Sequence, residues 1–277
     1  MGQLIVNGLA LGSIYALVAL GLLMIFNTVQ IVNFAQGQLL MLGAFIGISG
    51  AVTHELPIAM AWAITMAAMA LVGIVFMVLV YFPLRGRPPF LVILTTIAMG
   101  IVLENLVLII WGPLPVSLPS PVSGAPLRFA GVVVSMHQLF IFATLAAILL
   151  LQFLLLTKTR FGILMQATAQ DLHTARLVGI PVSRTIAVAF AFGAVLSGIA
   201  GLLVAPIFLA EPTMGGSLGL KGFVVSVIGG LSLGLIETFG ARYISSNFRD
   251  AYAFIVMIGV LVAWPRGLFG EKSSEKV

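Results

Sequence analysis

Charge is what this sequence has least of: 13 Lys and Arg and 8 Asp and Glu make up only 8% of its 277 residues. Soluble domains carry about a quarter charged residues, so an ordinary water-exposed surface is excluded. Cysteine is absent altogether, which rules out disulfides and thiolate metal sites. His54, His137 and His173 lie far apart in the sequence, so no metal-ligand set is expected from them. The net charge of +5 is scattered between apolar runs, without a polybasic tail or aromatic-basic interleaving, and nucleic acid is not an expected partner. Motifs for hydrolysis are missing too. GGSLGLKG superficially resembles a phosphate-binding loop, but Leu220 stands where glycine is required and Gly222 follows Lys221. There is no Gly-x-Ser-x-Gly elbow and no close acid pair. The chain is not read as an enzyme, and no cofactor is expected on it.

What is abundant is apolar. Hydrophobic residues are 61% of the chain and mean hydropathy is +1.22, the composition of an integral membrane protein. A membrane-crossing helix needs roughly 20 apolar residues. Such runs fall near 4–26, 31–53, 57–82, 90–111, 137–156, 186–209, 218–240 and 251–265. The reading is an all-α, polytopic transmembrane bundle of about 8–9 crossings, forming one domain over 1–277. Glycine recurs, with small pairs four apart at Gly8/Gly12, Gly43/Gly47 and Ser197/Gly201, a spacing that lets helices approach closely in lipid. The first run has no Lys or Arg before it and no small-residue cleavage pattern after it, so it is expected to stay as a helix.

Orientation follows from the basic residues of short loops. Arg85 and Arg87 lie two crossings away from Lys158, Arg160, Arg176 and Arg184. The two groups are expected to share the cytoplasmic face, with the N-terminus and the Pro/Ser-rich residues 112–136 outside. Counting forward, however, puts the tail with Arg266, Lys272 and Lys276 outside, against the charge bias. A double crossing within 218–240, around Gly229-Gly230, would bring it in, yet that run is short for two.

Polar groups at membrane depth are functional suspects. Glu104 beside Asn105 and, near the end of its run, Glu237 are the acids; either faces the bundle or reaches an interface. Neither has a basic residue at three or four positions, so a proton relay is poorly supported. The second run opens IVNFAQGQLLMLGAF, clustering Asn33, Gln36 and Gln38 around Gly37. Unsatisfied amides in hydrocarbon cost several kcal/mol, so these three line a pathway or bond between helices. Asn7 and Tyr15 of the first run, and Thr95 and Thr96 of the fourth, raise the same choice.

The most polar continuous stretch is TKTRFGILMQATAQDLHTARLVGIPVSRT, residues 157–185. FGILMQATAQD favours helix. LHTARLVG suits a second short helix with Asp171 as N-cap and Gly179 just past its end, after which Pro181 prevents easy continuation. A short helix, turn, helix and stop beyond the membrane is expected.

Three blocks together resemble the branched-chain amino-acid ABC permeases of the LivH type. They are NFAQGQLLMLGAF, the QATAQDLHTARLVGIPVSR segment following Thr157, Arg160 and Gly162, and the ending WPRGLFGE. The resemblance runs from Asn7 to Glu271. It implies a permease subunit in a bacterial inner membrane, with a homologous LivM-type second permease and a periplasmic substrate-binding protein as partners. Two cytoplasmic ABC ATPases would carry ATP and Mg. Residues 157–185 would be the coupling loop, with Arg160, Gly162, Ala167, Gln170, Asp171, Ala175, Arg176, Gly179 and Ile180 shaping the ATPase contact. Asn33, Gln36 and Gln38 would border the translocation path, and the tail after Pro265 would be cytoplasmic. Two departures stand out. Gln36 and Gln38 replace the His and Glu frequent in the family signature. After IGGL the Gly-Ser-Ile-Pro-Gly-Ala turn is missing, Leu231 running straight into SLGLIE, which matches the topological conflict over 218–240. The competing class is an ATP-independent channel or scaffold for small polar solutes such as amides or urea.

Overall fold

The computed structural model describes residues 2–129 and 131–228, together with positions 235, 236, 238, 239, 242, 243 and 255. Glu237, residues 229–234 and the basic tail therefore lie outside the described residues. Among those described, the chain is helical almost throughout: α1 Gly2–Val29, α2 Gln36–Ile48, α3 Ile58–Phe76, α4 Pro89–Trp111, α5 Met136–Lys158, α6 Arg160–Gln170, α7 Leu172–Leu177, α8 Val182–Val204 and α9 Met214–Ile228. Local chemistry sets several starts. Pro89 opens α4 at a position where no N–H is needed. Ser135 and Gln138 exchange side-chain and backbone hydrogen bonds at 3.1 and 3.0 Å as a capping box for α5.

Six stretches are long and apolar enough to cross a membrane, namely Gly2–Val29, Gln36–Thr53, Ile58–Leu84, Pro89–Trp111, Met136–Lys158 and Val182–Val204. These are the first six expected runs; the seventh is followed continuously only to Ile228, and of the eighth only position 255 is described. The second begins later than expected. Gln30 takes φ 56° and residues 31–35 are not helical, so the run read as 31–53 splits into an irregular entry and a helix.

Burial separates core from periphery. The apolar windows of α1 and α8 are each 72% buried, against 17% for α4 and 11% for α5, so α1 and α8 form the axis while α4 and α5 present apolar faces outward to lipid. The two axial helices run antiparallel. Val29 clusters with Val182 at one end; at the other, Asn7 accepts from Gln138, whose neighbour His137 bonds the Leu203 carbonyl. They cross where Gly21 and Gly193 meet: a Cβ on either would come within 2.8 Å of the other's carbonyl oxygen. Only glycine permits that approach.

Each end has its own character. At one, Gln3 clamps Val133 of a small hairpin, β1 Leu127–Phe129 with β2 Val132–Val134, through two 2.9 Å bonds. Val116 pairs with Ala210 nearby in sequence to the end of α8. At the opposite end, Arg85 and Arg176 flank one cleft. The two basic loops thus share an end, and the loop of residues 112–135 lies at the other.

Candidate functional site

The irregular residues between α1 and α2 are not at an end of the bundle. Gln36 donates to the Gly193 carbonyl at 3.1 Å and to the Ser197 hydroxyl at 2.7 Å, and both lie midway along α8. After α1 finishes beside Val182, the chain therefore climbs back and restarts as a helix halfway through. Non-helical backbone at that depth persists only where protein or a cavity satisfies it. Here Asn33 and Thr96 do so: the Ala35 N–H donates to the Asn33 side-chain oxygen at 3.0 Å, and the Phe34 N–H to the Thr96 hydroxyl at 3.2 Å. Asn33 also donates to the Gln36 side-chain oxygen at 3.2 Å. Asn33, Gln36 and Thr96 are all buried.

α9 meets this break from the other direction. Gly215 packs on Gly37 and Gln38, Gly219 on Gly37, and the Phe223 ring lies 5.7 Å from that of Phe34. As α9 advances, its contacts move back along the α2 segment, so the two helices are antiparallel with their first turns adjoining. Beside them is a cavity of about 200 Å³, lined by Asn33, Phe34, Gln38, Ile97, Ile101 and Gly219 among others. The Gln38 side-chain oxygen is shielded and has no hydrogen-bond partner, and its amide lies against Gly100. A small chamber with apolar walls, two amides and two adjoining helix N-termini suits a small solute that is part polar and part aliphatic.

The remaining candidates are distributed elsewhere. Asn7 sits at the hairpin end with Gln3 and Gln138. Tyr15 is in the core, its hydroxyl 3.5 Å from the Lys221 ammonium. Thr95 donates to its own helix at Leu91, and Asn105 is exposed and donates to Ile101. Glu104 is half-buried on α4. None of these five lines the cavity described above. Lys221, read above only within a failed loop motif, is 7% exposed with its ammonium 5.5 Å from the Tyr15 ring centroid; a single basic residue inside an apolar run is the signal for it.

The polar stretch forms the expected helix, turn, helix and stop. The Thr159 hydroxyl accepts from Gly162 at the start of α6. Asp171 caps α7 by accepting from the His173 N–H at 2.8 Å and from the Thr174 hydroxyl; these donors hold its carboxyl below the usual aspartate range. Gly179 takes φ 85°, and the Gly179 and Ile180 N–H groups return to the Arg176 and Ala175 carbonyls at 3.1 and 3.0 Å, a Schellman stop. Gly162 and Ala175 are buried, whereas Arg160, Gln170, Asp171, Arg176 and Gly179 are exposed. Ala167, which the resemblance implied in the ATPase contact, is half-buried. Large apolar side chains project from the same stretch, with Ile163 67%, Leu177 75% and Val178 71% exposed.

Comparison with known proteins places this architecture. The family described as the branched-chain amino acid transport system / permease component matches residues 4–270. The chain is 30% identical to the high-affinity branched-chain amino acid transport system permease protein LivH of Salmonella typhimurium, over 302 aligned residues that cover 99% of this chain and 97% of that one. The LivH protein of Escherichia coli K12 is also 30% identical, with the same coverage. The corresponding BraD protein of Pseudomonas aeruginosa is 31% identical over 299 residues, again covering 99% and 97%. These alignments exceed the 277 residues of this chain, so the relatives carry residues that it lacks. No solved structure matches the chain. The chain belongs to the family of branched-chain amino acid transport system permease components.

Proposed function

We propose that this permease component is the membrane subunit of an ATP-driven importer for branched-chain or related small amino acids. The observation that carries this reading is the break at residues 30–35, set halfway through the bundle and lined with amides beside a cavity of about 200 Å³. Asn33 and Gln38 border the path at its middle, Gln36 and Thr96 hold the break open, and Ile97 and Ile101 offer apolar wall to an aliphatic side chain. Tyr15 and Asn7 lie further along α1, and Thr95, Glu104 and Asn105 along α4, as candidates for the rest of the path. The protein lies in a bacterial inner membrane as a single domain over 1–277, with its N-terminus outside and its tail cytoplasmic.

The working assembly has a second permease of the LivM type, two cytoplasmic ABC ATPases that hold ATP and Mg, and a periplasmic binding protein that delivers substrate. α6 and α7 seat in an ATPase, so that closure of the ATPase pair tilts α8, which follows them, against α1. Ile163, Leu177 and Val178 supply the apolar contact, and Gly162, Ala175 and the Gly179–Ile180 stop keep its shape. Copurification of the ATPases with the permease tests this: wild type should retain them, and Leu177→Asp with Val178→Asp should lose them while still reaching the membrane. Undiminished copurification of the double variant would contradict the docking reading.

A further inference from the structure

A pair of guanidinium groups sits where the α3 span ends, Arg85 from that end and Arg176 from the expected coupling stretch, and the substrate path does not use it. The apolar span Ile58–Leu84 ends in Tyr81 and Phe82, and Arg85 folds back so that its guanidinium lies 4.1 Å above the Phe82 ring. Arg176 comes from α7 to the same cleft, which is completed by Tyr81, Ser183 and Ile186. Two fixed positive charges therefore converge on one opening. Of the described carboxylates, Glu55, Glu104 and Glu211 lie toward the other end of the bundle, and Asp171 is held by His173 and Thr174.

The cleft encloses about 10 Å³, room for a single group of water size. It can grip one end of an ion but cannot swallow a solute. Its side wall is continuous with side chains that face lipid, Val78 at 50%, Leu79 at 57% and Phe82 at 36% exposure. An anion bound here would have its charge between the guanidinium groups and an aliphatic body along α3. That is the form of a membrane lipid, and basic pockets between transmembrane helices on the cytoplasmic side are suited to acidic headgroups.

We propose that Arg85 and Arg176 bind the phosphate of an acidic phospholipid from the adjoining leaflet. Arginine suits this better than lysine, because its planar fork meets phosphate oxygens in pairs. Such a lipid would bridge the end of α3 to α7 and fasten the coupling element to the membrane surface. This goes beyond the transport reading and stands or falls separately from it.

The experiment is native mass spectrometry of the intact detergent-solubilised permease, titrated with phosphatidylglycerol or phosphatidylcholine. Phosphatidylglycerol should be retained and phosphatidylcholine not. Arg85→Gln should weaken retention about fivefold, as expected for one basic residue at a membrane surface, Arg85→Lys less, and Arg87→Gln, two residues away, not at all. Arg85→Gln with Arg176→Gln should abolish it. Equal retention of both lipids, or undiminished retention by the double variant, would overturn the proposal. Displacement of the lipid by millimolar inorganic phosphate would reassign the cleft to a soluble anion. ATPase copurification lost in Arg85→Gln with lipid retention intact would reassign it to a protein partner.

Discussion

In the proposed substrate path Gln38 is the residue to test first, because its oxygen is shielded beside the cavity without a partner. Replacing it with Leu removes that acceptor at similar length, whereas Gln38→Glu restores the ionisable group common at that place in the resembled signature. Gln38→Leu should leave the fold intact and reduce uptake roughly tenfold, the scale of losing one hydrogen bond to a bound polar group. Gln36→Leu should behave differently: it leaves the buried Asn33 amide without its acceptor and removes a donor from the Ser197 hydroxyl and Gly193 carbonyl, costing about 1–3 kcal/mol, and should lower the thermal midpoint of the purified protein. Fluorescence-detected thermal unfolding and uptake assays separate the two. The amide cluster was legible in the sequence as a cluster because three amides crowd one glycine in an apolar run. Which amide bonds to protein and which faces the cavity was not. That depends on α8 and α9, more than 150 positions further along, and no local pattern contains it. Lys221 was hidden for the opposite reason, its neighbours suggesting a loop motif that fails.

At the level of elements, α6 and α7 were readable almost to the residue. Their signals are short-range: a cap at Asp171, a left-handed glycine at 179 and a proline at 181. What was not readable was the outward face, since Ala167 is half-buried and the prominent side chains are Ile163, Leu177 and Val178. Gly179→Val places a β-branched residue at φ 85°, where such residues are strained. The variant should reach the membrane but lose substrate-stimulated ATP hydrolysis; retention of full coupling would show that the stop has no mechanical role. The Asp171 cap has a defined pH dependence. Its folded-state pKa is depressed, so its contribution is complete above the ordinary aspartate value and is lost as pH falls through the depressed one. Hydrogen exchange across residues 172–180 should therefore be insensitive to this group at neutral pH and quicken only in strong acid. In Asp171→Asn, which keeps an acceptor, that acid step should vanish. The break at 30–35 was not legible, because Ile31, Val32, Phe34 and Ala35 read as the opening of an apolar run and the amides among them do not mark where the backbone enters the helix.

Among the described residues the fold is an antiparallel pair, α1 with α8, around which the other helices are laid, and its two ends differ in charge. The crossing at Gly21 and Gly193 brings α1 and α8 into backbone contact near mid-depth, and the contact of Gly37 with Gly219 does the same for α2 and α9. Gly37→Val would drive its side chain into the Gly215 carbonyl and should prevent accumulation of folded protein, since overpacking against backbone costs at least about 1–3 kcal/mol. Sidedness is testable on the same scale, because no native cysteine interferes. With an impermeant thiol reagent, Leu114→Cys should label in intact spheroplasts and Leu177→Cys only after lysis. The measurement that bears most directly on the account is uptake by the complete complex in proteoliposomes, with binding protein and radiolabelled leucine on the outside. ATP enclosed with the ATPases should drive accumulation above the outside concentration, and omission of nucleotide should abolish it. Equilibration of leucine without nucleotide, unchanged when ATP is added, would contradict the importer and identify a passive pore.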